Sequence, residues 1–145
     1  MSLNVSAADG RKRHVLVIDD DPVARATMTA ILQDDGYTVT CAVDGKQGLD
    51  EFRKSRPDVV VTDIIMPEKE GIETILALRA MWPEGPIIAV SGGGRIQSAD
   101  FLKMARALGA SAVLAKPFEP QDLLSRIPPP GEECVRQSTS VEYRS

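Results

Sequence analysis

Cysteine is scarce in this chain: Cys41, in an expected strand, and Cys134, in a polar tail, are the only two. They make neither a disulfide framework nor a metal-ligand pair and read as ordinary thiols. A basic surplus is missing as well, with 17 Lys and Arg against 21 Asp and Glu. The resulting net charge of −4 supplies no field for a nucleic-acid backbone and no polybasic membrane patch, so direct binding to either is not expected. No apolar run approaches the roughly 18 residues of a membrane span. The opening MSLNVSAADG lacks the apolar middle of a secretion signal, and the expected compartment is the cytoplasm. Neither a Walker phosphate loop nor a dinucleotide-binding glycine fingerprint occurs.

What the chain does have is a regular succession of short apolar runs: HVLVI at 14–18, YTVTCA at 37–42, VVVT at 59–62, PIIAV at 86–90 and AVLA at 112–115. The first, third and fourth are nearly unbroken Val, Ile and Leu, which suits strands covered on both faces in a parallel sheet. The second alternates Val39 and Cys41 with Thr38 and Thr40, as an edge strand does. Helical spacing fills the intervals. Asp21 is placed to cap a first helix, with Pro22 in its first turn, Val23, Ala26, Ala30 and Ile31 as its inner stripe and Gly36 as its stop. Asp44 and Gln47 have capping-box spacing for a second. Ile72, Ile75 and Leu76 are expected to face inward on the third, and Phe101, Met104, Ala105 and Leu108 on the fourth, which Gly109 ends. Leu123, Leu124 and Ile127 face inward on the fifth, cut short by Pro128 to Pro130.

At 145 residues, 43% of them hydrophobic, the chain is the size of one domain with a genuine core. Five βα units joined by right-handed crossovers predict an α/β fold, a (βα)5 doubly wound, five-stranded parallel sheet in the order 2-1-3-4-5. The expected domain covers 13–127, after an N-terminal extension over 1–12 of the kind an expression tag leaves and before a Pro-led polar tail or linker over 128–145. Three smaller features read as structural. His14 opens the first strand, Trp82 covers the end of the third helix, and the run Arg11 to Arg13 is a solvated approach to the sheet.

In an open α/β sheet ligands bind outside the carboxyl ends of the strands, where the strand order reverses. Asp19, Asp20 and Asp21 follow the first apolar run, Asp63 the third, Ser91 the fourth and Lys116 the fifth. Each alone has an ordinary explanation as a cap, a loop residue or a surface charge; together they fall on one rim. Three carboxylates in one pocket repel unless a cation neutralises them, and an oxygen-only donor set suits Mg²⁺ better than zinc. Lys116 can pair with Asp63 and later with a phosphoryl oxygen, and Ser91 can donate to another. A carboxylate so placed is a nucleophile toward phosphorus, and its product is an acyl phosphate on Asp63. The added charge can draw Ser91 and the glycines Gly92 to Gly94 toward the phosphate.

VLVIDDDP, PDVVVTDIIMP, IIAVSGG and GASAVLAKPF resemble, respectively, the acidic pocket, phosphorylation segment, switch-hydroxyl strand and lysine segment of the response-regulator receiver family. The resemblance covers roughly residues 13 to 127 and implies the flavodoxin-like receiver fold of two-component phosphorelays. It implies Asp63 as the acceptor, Asp20 as a direct metal ligand, Asp19 as a water-mediated one, the Ile65 backbone carbonyl as a third ligand, and a cis Pro117 after Lys116. The implied phosphodonor is a sensor histidine kinase or a histidine phosphotransfer protein, and the implied role is signalling rather than enzymatic.

Two positions depart from the family pattern. Val113 stands where a rotating Tyr or Phe is usual, so output is expected through the Ser91 to Arg95 loop and the fourth helix. The shortened fifth helix weakens a common dimer face, leaving a monomer or weak dimer as the expectation. Ile65 and Gly93 offer no polar group to orient an attacking water, so slow self-hydrolysis of the phosphate is expected. Two alternatives stay open at this level. Asp19-Asp20-Asp21-Pro22-Val23 also fits the nucleophile pattern of a haloacid-dehalogenase-like phosphatase using Asp19, although within the expected domain only Glu119 and Asp122, on the last short helix, follow the lysine as acids that could complete its metal site. A phosphorylation-independent receiver-like binding module is the other.

Overall fold

The computed structural model describes residues 13–64, 70–91, 103 and 106–129. Five strands, β1 His14–Ile18, β2 Thr38–Ala42, β3 Val59–Asp63, β4 Ile87–Ser91 and β5 Ala112–Ala115, alternate with helices α1 Pro22–Asp34, α2 Gly45–Ser55 and α3 Glu70–Met81, a fourth, α4, described at 103 and 106–108, and α5 Pro120–Arg126. All strand pairs are parallel and the order is β2-β1-β3-β4-β5, the doubly wound arrangement. Among the described residues no helix is long and apolar enough to cross a membrane.

Strand periodicity divides the core in two. Leu16, Ile18, Val60, Ile87 and Ala89 pack with Phe52 of α2 and with Ile75 and Leu78 of α3. On the other face Val15, Val17, Val59, Val61, Ile88 and Val90 pack with Met28 and Leu32 of α1 and Leu123 of α5. Adjacent residues of β1, β3 and β4 therefore feed opposite layers, which is why these strands carry no polar alternation. Burying each such Val, Leu or Ile contributes about 1.5–3 kcal/mol. At the two edges, β2 and β5 keep partly exposed residues.

The helix ends follow local chemistry. Asp21 accepts from the Val23 amide at 3.0 Å with Pro22 in the first turn, and Gly36 takes a φ of 97° just past the end of α1. Asp44 accepts from the Gln47 amide at 2.8 Å, while the Gln47 side chain returns to the Val43 amide at 2.7 Å rather than to that of Asp44 itself. Gly109, with a φ of 117°, closes α4.

Three sequence expectations are corrected here. On α1 the inner stripe is Met28 and Leu32, with Ala24 and Ile31 beside them; Val23, Ala26 and Ala30 are exposed. The larger side chains at spacing four take the sheet-facing arc, and the small residues turn outward. On α3 the buried arc is Gly71, Thr74, Ile75 and Leu78, leaving Leu76 48% exposed. Arg13 is buried rather than solvated, because its Nη1 donates to the Pro128 carbonyl at 2.7 Å and ties the start of β1 to the residue after Ile127. His14 is held by Asp58 on its amide and by Thr40 Oγ1 on its ring, at 2.7 and 2.6 Å. Trp82 lies at the end of α3, its ring 5.1 Å from that of Phe52. Phe101, Met104, Ala105 and Cys134 lie outside the described residues.

Candidate functional site

The register of the sheet places the rim residues. Ile18 is opposite Thr62, so the next step along both strands sets Asp19 beside Asp63. The ladder then continues past the strand ends: Asp19 N–H donates to the Ala42 carbonyl at 3.1 Å, Ile64 N–H to Val90 at 3.0 Å and Lys116 N–H to Ser91 at 2.8 Å. Asp19 and Asp63 share strand parity with Val17 and Val61, while Lys116 stands two past Leu114 of the same layer. All three side chains therefore leave the sheet on one side and converge.

Their geometry is tight. Asp19, Asp20 and Asp63 can each offer an oxygen within 4.8 Å of the others. Asp19 is fully buried and Asp63 4% exposed, whereas Asp20 is exposed. Lys116 Nζ bridges the two buried carboxylates, at 2.9 Å from Asp19 Oδ2 and 3.3 Å from Asp63 Oδ2. The sequence pairs the lysine with Asp63 alone; in the structure it is shared, with the shorter contact to Asp19. Burial by itself pulls the Lys116 ammonium down, but the Asp19 hydrogen bond and the charges of Asp63 and Asp19 outweigh it and leave its pKa above the ordinary lysine value.

Ser91, at the end of β4, is 1% exposed, and its Oγ has no hydrogen-bond partner among the described residues. A buried hydroxyl left without a partner costs about 1–3 kcal/mol, so it is a donor waiting for an acceptor. The oxygen-only donor set, half buried and half open to water, fits a hard divalent cation that keeps part of its hydration. Ile65 and the segment from Gly92 to Arg95 lie outside the described residues. The Lys116–Pro117 peptide is cis, and Val113 is half-buried against the α2/α3 core layer.

Two residues absent from the sequence-based site complete it. Arg25, in the first turn of α1, donates from Nη1 to the Asp19 carbonyl at 2.8 Å. Gly71, in the first turn of α3, brings that helix against the backbone of Asp63 and Ile64: a Cβ there would stand 2.5 Å from Ile64 Cα. A glycine inside a helical segment is the only sequence signal for the second, and Arg25 carries none that separates it from a surface arginine.

Fold and rim together define a class: a doubly wound α/β domain with a lysine-bridged acidic pocket at its topological switch point. Residues 15–128 match the family described as response regulator receiver domain. Response regulator MprA from Mycolicibacterium vanbaalenii is 34% identical over 117 residues, covering 78% of this chain and 48% of that protein. A response regulator receiver domain protein from Clostridium thermocellum superposes with a TM-score of 0.74 at 29% identity, over 87% of this chain and 97% of the other. The chemotaxis protein CheY4 from Vibrio cholerae gives 0.70 at 34% identity, over 78% and 93%. The chain belongs to the response regulator receiver domain family of two-component systems. It spans about half the length of the curated relatives it matches. Receiver domains generally use Mg²⁺ and are phosphorylated by histidine kinases, and with that family established the dehalogenase-like alternative has no support.

Proposed function

We propose that Asp63 accepts a phosphoryl group from a sensor histidine kinase or a histidine phosphotransfer protein, at a Mg²⁺ site formed by Asp19, Asp20 and Asp63. The carrying observation is the buried Asp63 carboxylate, bridged by Lys116 and clustered with Asp19 and Asp20. An Asp63 oxygen attacks phosphorus, the bond from phosphorus to the donor histidine nitrogen breaks, and that nitrogen keeps the electron pair. A bound divalent cation supplies charge neutralisation for the phosphoryl oxygens. Lys116 exchanges one carboxylate contact for a phosphoryl oxygen, and the Ser91 hydroxyl donates to another, relieving its present lack of a partner.

In this reading the acyl phosphate is the signal, and the domain catalyses at most its own phosphorylation and dephosphorylation in the cytoplasm. Output runs through the Ser91 loop and the α4 face to a downstream protein or an output domain, because Val113 has no ring to rotate. The domain acts as a monomer or weak dimer, without touching nucleic acid or membrane itself. Incubation with Mg²⁺ and acetyl phosphate, followed by intact mass, tests the proposal. One phosphoryl adduct is expected, absent in Asp63→Asn. An adduct that persists in Asp63→Asn overturns the assignment, and none with either a small phosphodonor or a phosphorylated histidine donor favours the phosphorylation-independent module.

A further inference from the structure

We infer that Arg25 is a positioning residue for the cation site, acting through the backbone that carries Asp20. This rests on reading Asp19, Asp20 and Asp63 as a Mg²⁺ site. Asp20 is the exposed member of the cluster, and among the described residues its carboxylate has no hydrogen-bond or ion-pair partner. Its placement is therefore decided by the two peptide planes that flank it. The Asp19–Asp20 peptide is held at its carbonyl by Arg25 Nη1, at 2.8 Å. The Asp20–Asp21 peptide is held at its N–H by Asp19 Oδ1, at 2.9 Å. One pin comes from the acidic loop itself, and the other reaches back from α1.

That reach follows from helix geometry. Side chains lean toward the N-terminus of their helix, so a long residue in the first turn covers the loop before it. The Arg25 amide makes the opening helical bond to the Asp21 carbonyl at 3.0 Å, so backbone and side chain of one residue grip both ends of the Asp19–Asp21 segment. Asp19 is in turn immobilised at its amide by Ala42 and at Oδ2 by Lys116. Releasing Arg25 frees the only one of these ties that fixes the peptide entering Asp20.

Charge and positioning predict opposite signs, which makes the inference testable. Removing a guanidinium beside an acidic cluster strengthens cation binding if charge alone matters; loss of a pinned ligand weakens it. Mg²⁺ titration of the full chain, followed by amide NMR shifts, is expected to show about a tenfold loss of affinity in Arg25→Gln and partial recovery in Arg25→Lys. Arg25→Met, which keeps the aliphatic stem and removes every donor, gives the same reading if Arg25→Gln folds poorly. In the metal-free variants, hydrogen exchange at the Asp20 and Asp21 amides should accelerate. Equal or tighter Mg²⁺ binding in Arg25→Gln and in the donor-less Arg25→Met, with unchanged exchange, overturns the role of Arg25. Absence of Mg²⁺ binding by the unaltered protein would overturn the cation site itself.

Discussion

Gly71→Ala sets two effects of similar size against each other. Helix propensity favours Ala over Gly by about 1 kcal/mol in a helix interior, so a helix considered in isolation gains. The fold says otherwise. The new Cβ would lie 2.5 Å from Ile64 Cα, 2.7 Å from the Asp63 carbonyl oxygen and 2.7 Å from the Ile64 carbonyl carbon. Carbon atoms pack at roughly 3.5–4.0 Å, so α3 or the acceptor loop must withdraw by about 1 Å. These three nearest atoms are all backbone, which cannot swing aside as the end of a side chain can. Overpacking of this kind costs about 1–3 kcal/mol, and with backbone as the obstacle the upper half of that range applies. The expected net is a loss of about 1–2 kcal/mol, or about 4–8 °C in melting temperature for a domain of this size. Urea unfolding followed by the single tryptophan, Trp82, measures it. Because the displaced atoms carry Asp63, labelling by acetyl phosphate should also slow by about tenfold or more. A Gly71→Ala protein as stable as its parent, labelled at the same rate, would refute the close approach of α3 to the acceptor.

Three further outcomes are expected. Lys116→Met leaves two buried carboxylates facing each other and should cost about 3 kcal/mol near neutrality. Since the folded pKa of Lys116 is raised, its contribution is complete below the unfolded value and is lost as pH climbs through the folded one, so the gap between the two proteins should narrow only above about pH 10. A gap constant to the most alkaline pH would contradict this. Burial depresses the His14 pKa against the opposing charges of Asp58 and Glu51. The unfolded chain then takes up that proton first, so stability should hold above the ordinary histidine value of 6.5 and decline as pH falls through the folded pKa, a slope that His14→Gln should remove in urea titrations. Arg79 donates to the carbonyls of Gly109, Trp82 and Gly85 and to Ser111 Oγ, joining the ends of α3 and α4 to the starts of β4 and β5. Arg79→Leu should destabilise by about 2–4 kcal/mol while leaving acetyl phosphate labelling unchanged, because the cluster lies at the end of the sheet away from Asp63; slowed labelling in a folded variant would show that the two ends are coupled.

Much of this domain is legible in one dimension because its rules are local. A strand buried on both faces needs an unbroken apolar run, and β1, β3 and β4 have one; a parallel sheet needs a crossover of helical length, and the intervals supply it. Rim chemistry is legible for the same reason. Asp19, Asp63, Ser91 and Lys116 each stand at or directly after a strand, so knowing where strands end is enough to gather them. Helix rotation was less accessible. Val23 and Leu76 look like core residues by hydropathy, yet the faces of α1 and α3 are chosen by which arcs pack best on the sheet, a property of the neighbours rather than of the helix.

Sequence by itself determined the strands, their order and the identity of the acidic pocket, since periodicity and strand-end position are properties of short segments. Only the tertiary structure decided how that pocket is held: that Lys116 leans on Asp19 more closely than on Asp63, that Arg13 is buried against Pro128, that Arg25 grips the loop carrying Asp20, and that Gly71 lets α3 touch the acceptor backbone. These are contacts between segments remote in the chain or between side chain and backbone, where a few tenths of an ångström decide the outcome, and no pattern of residue types carries distances.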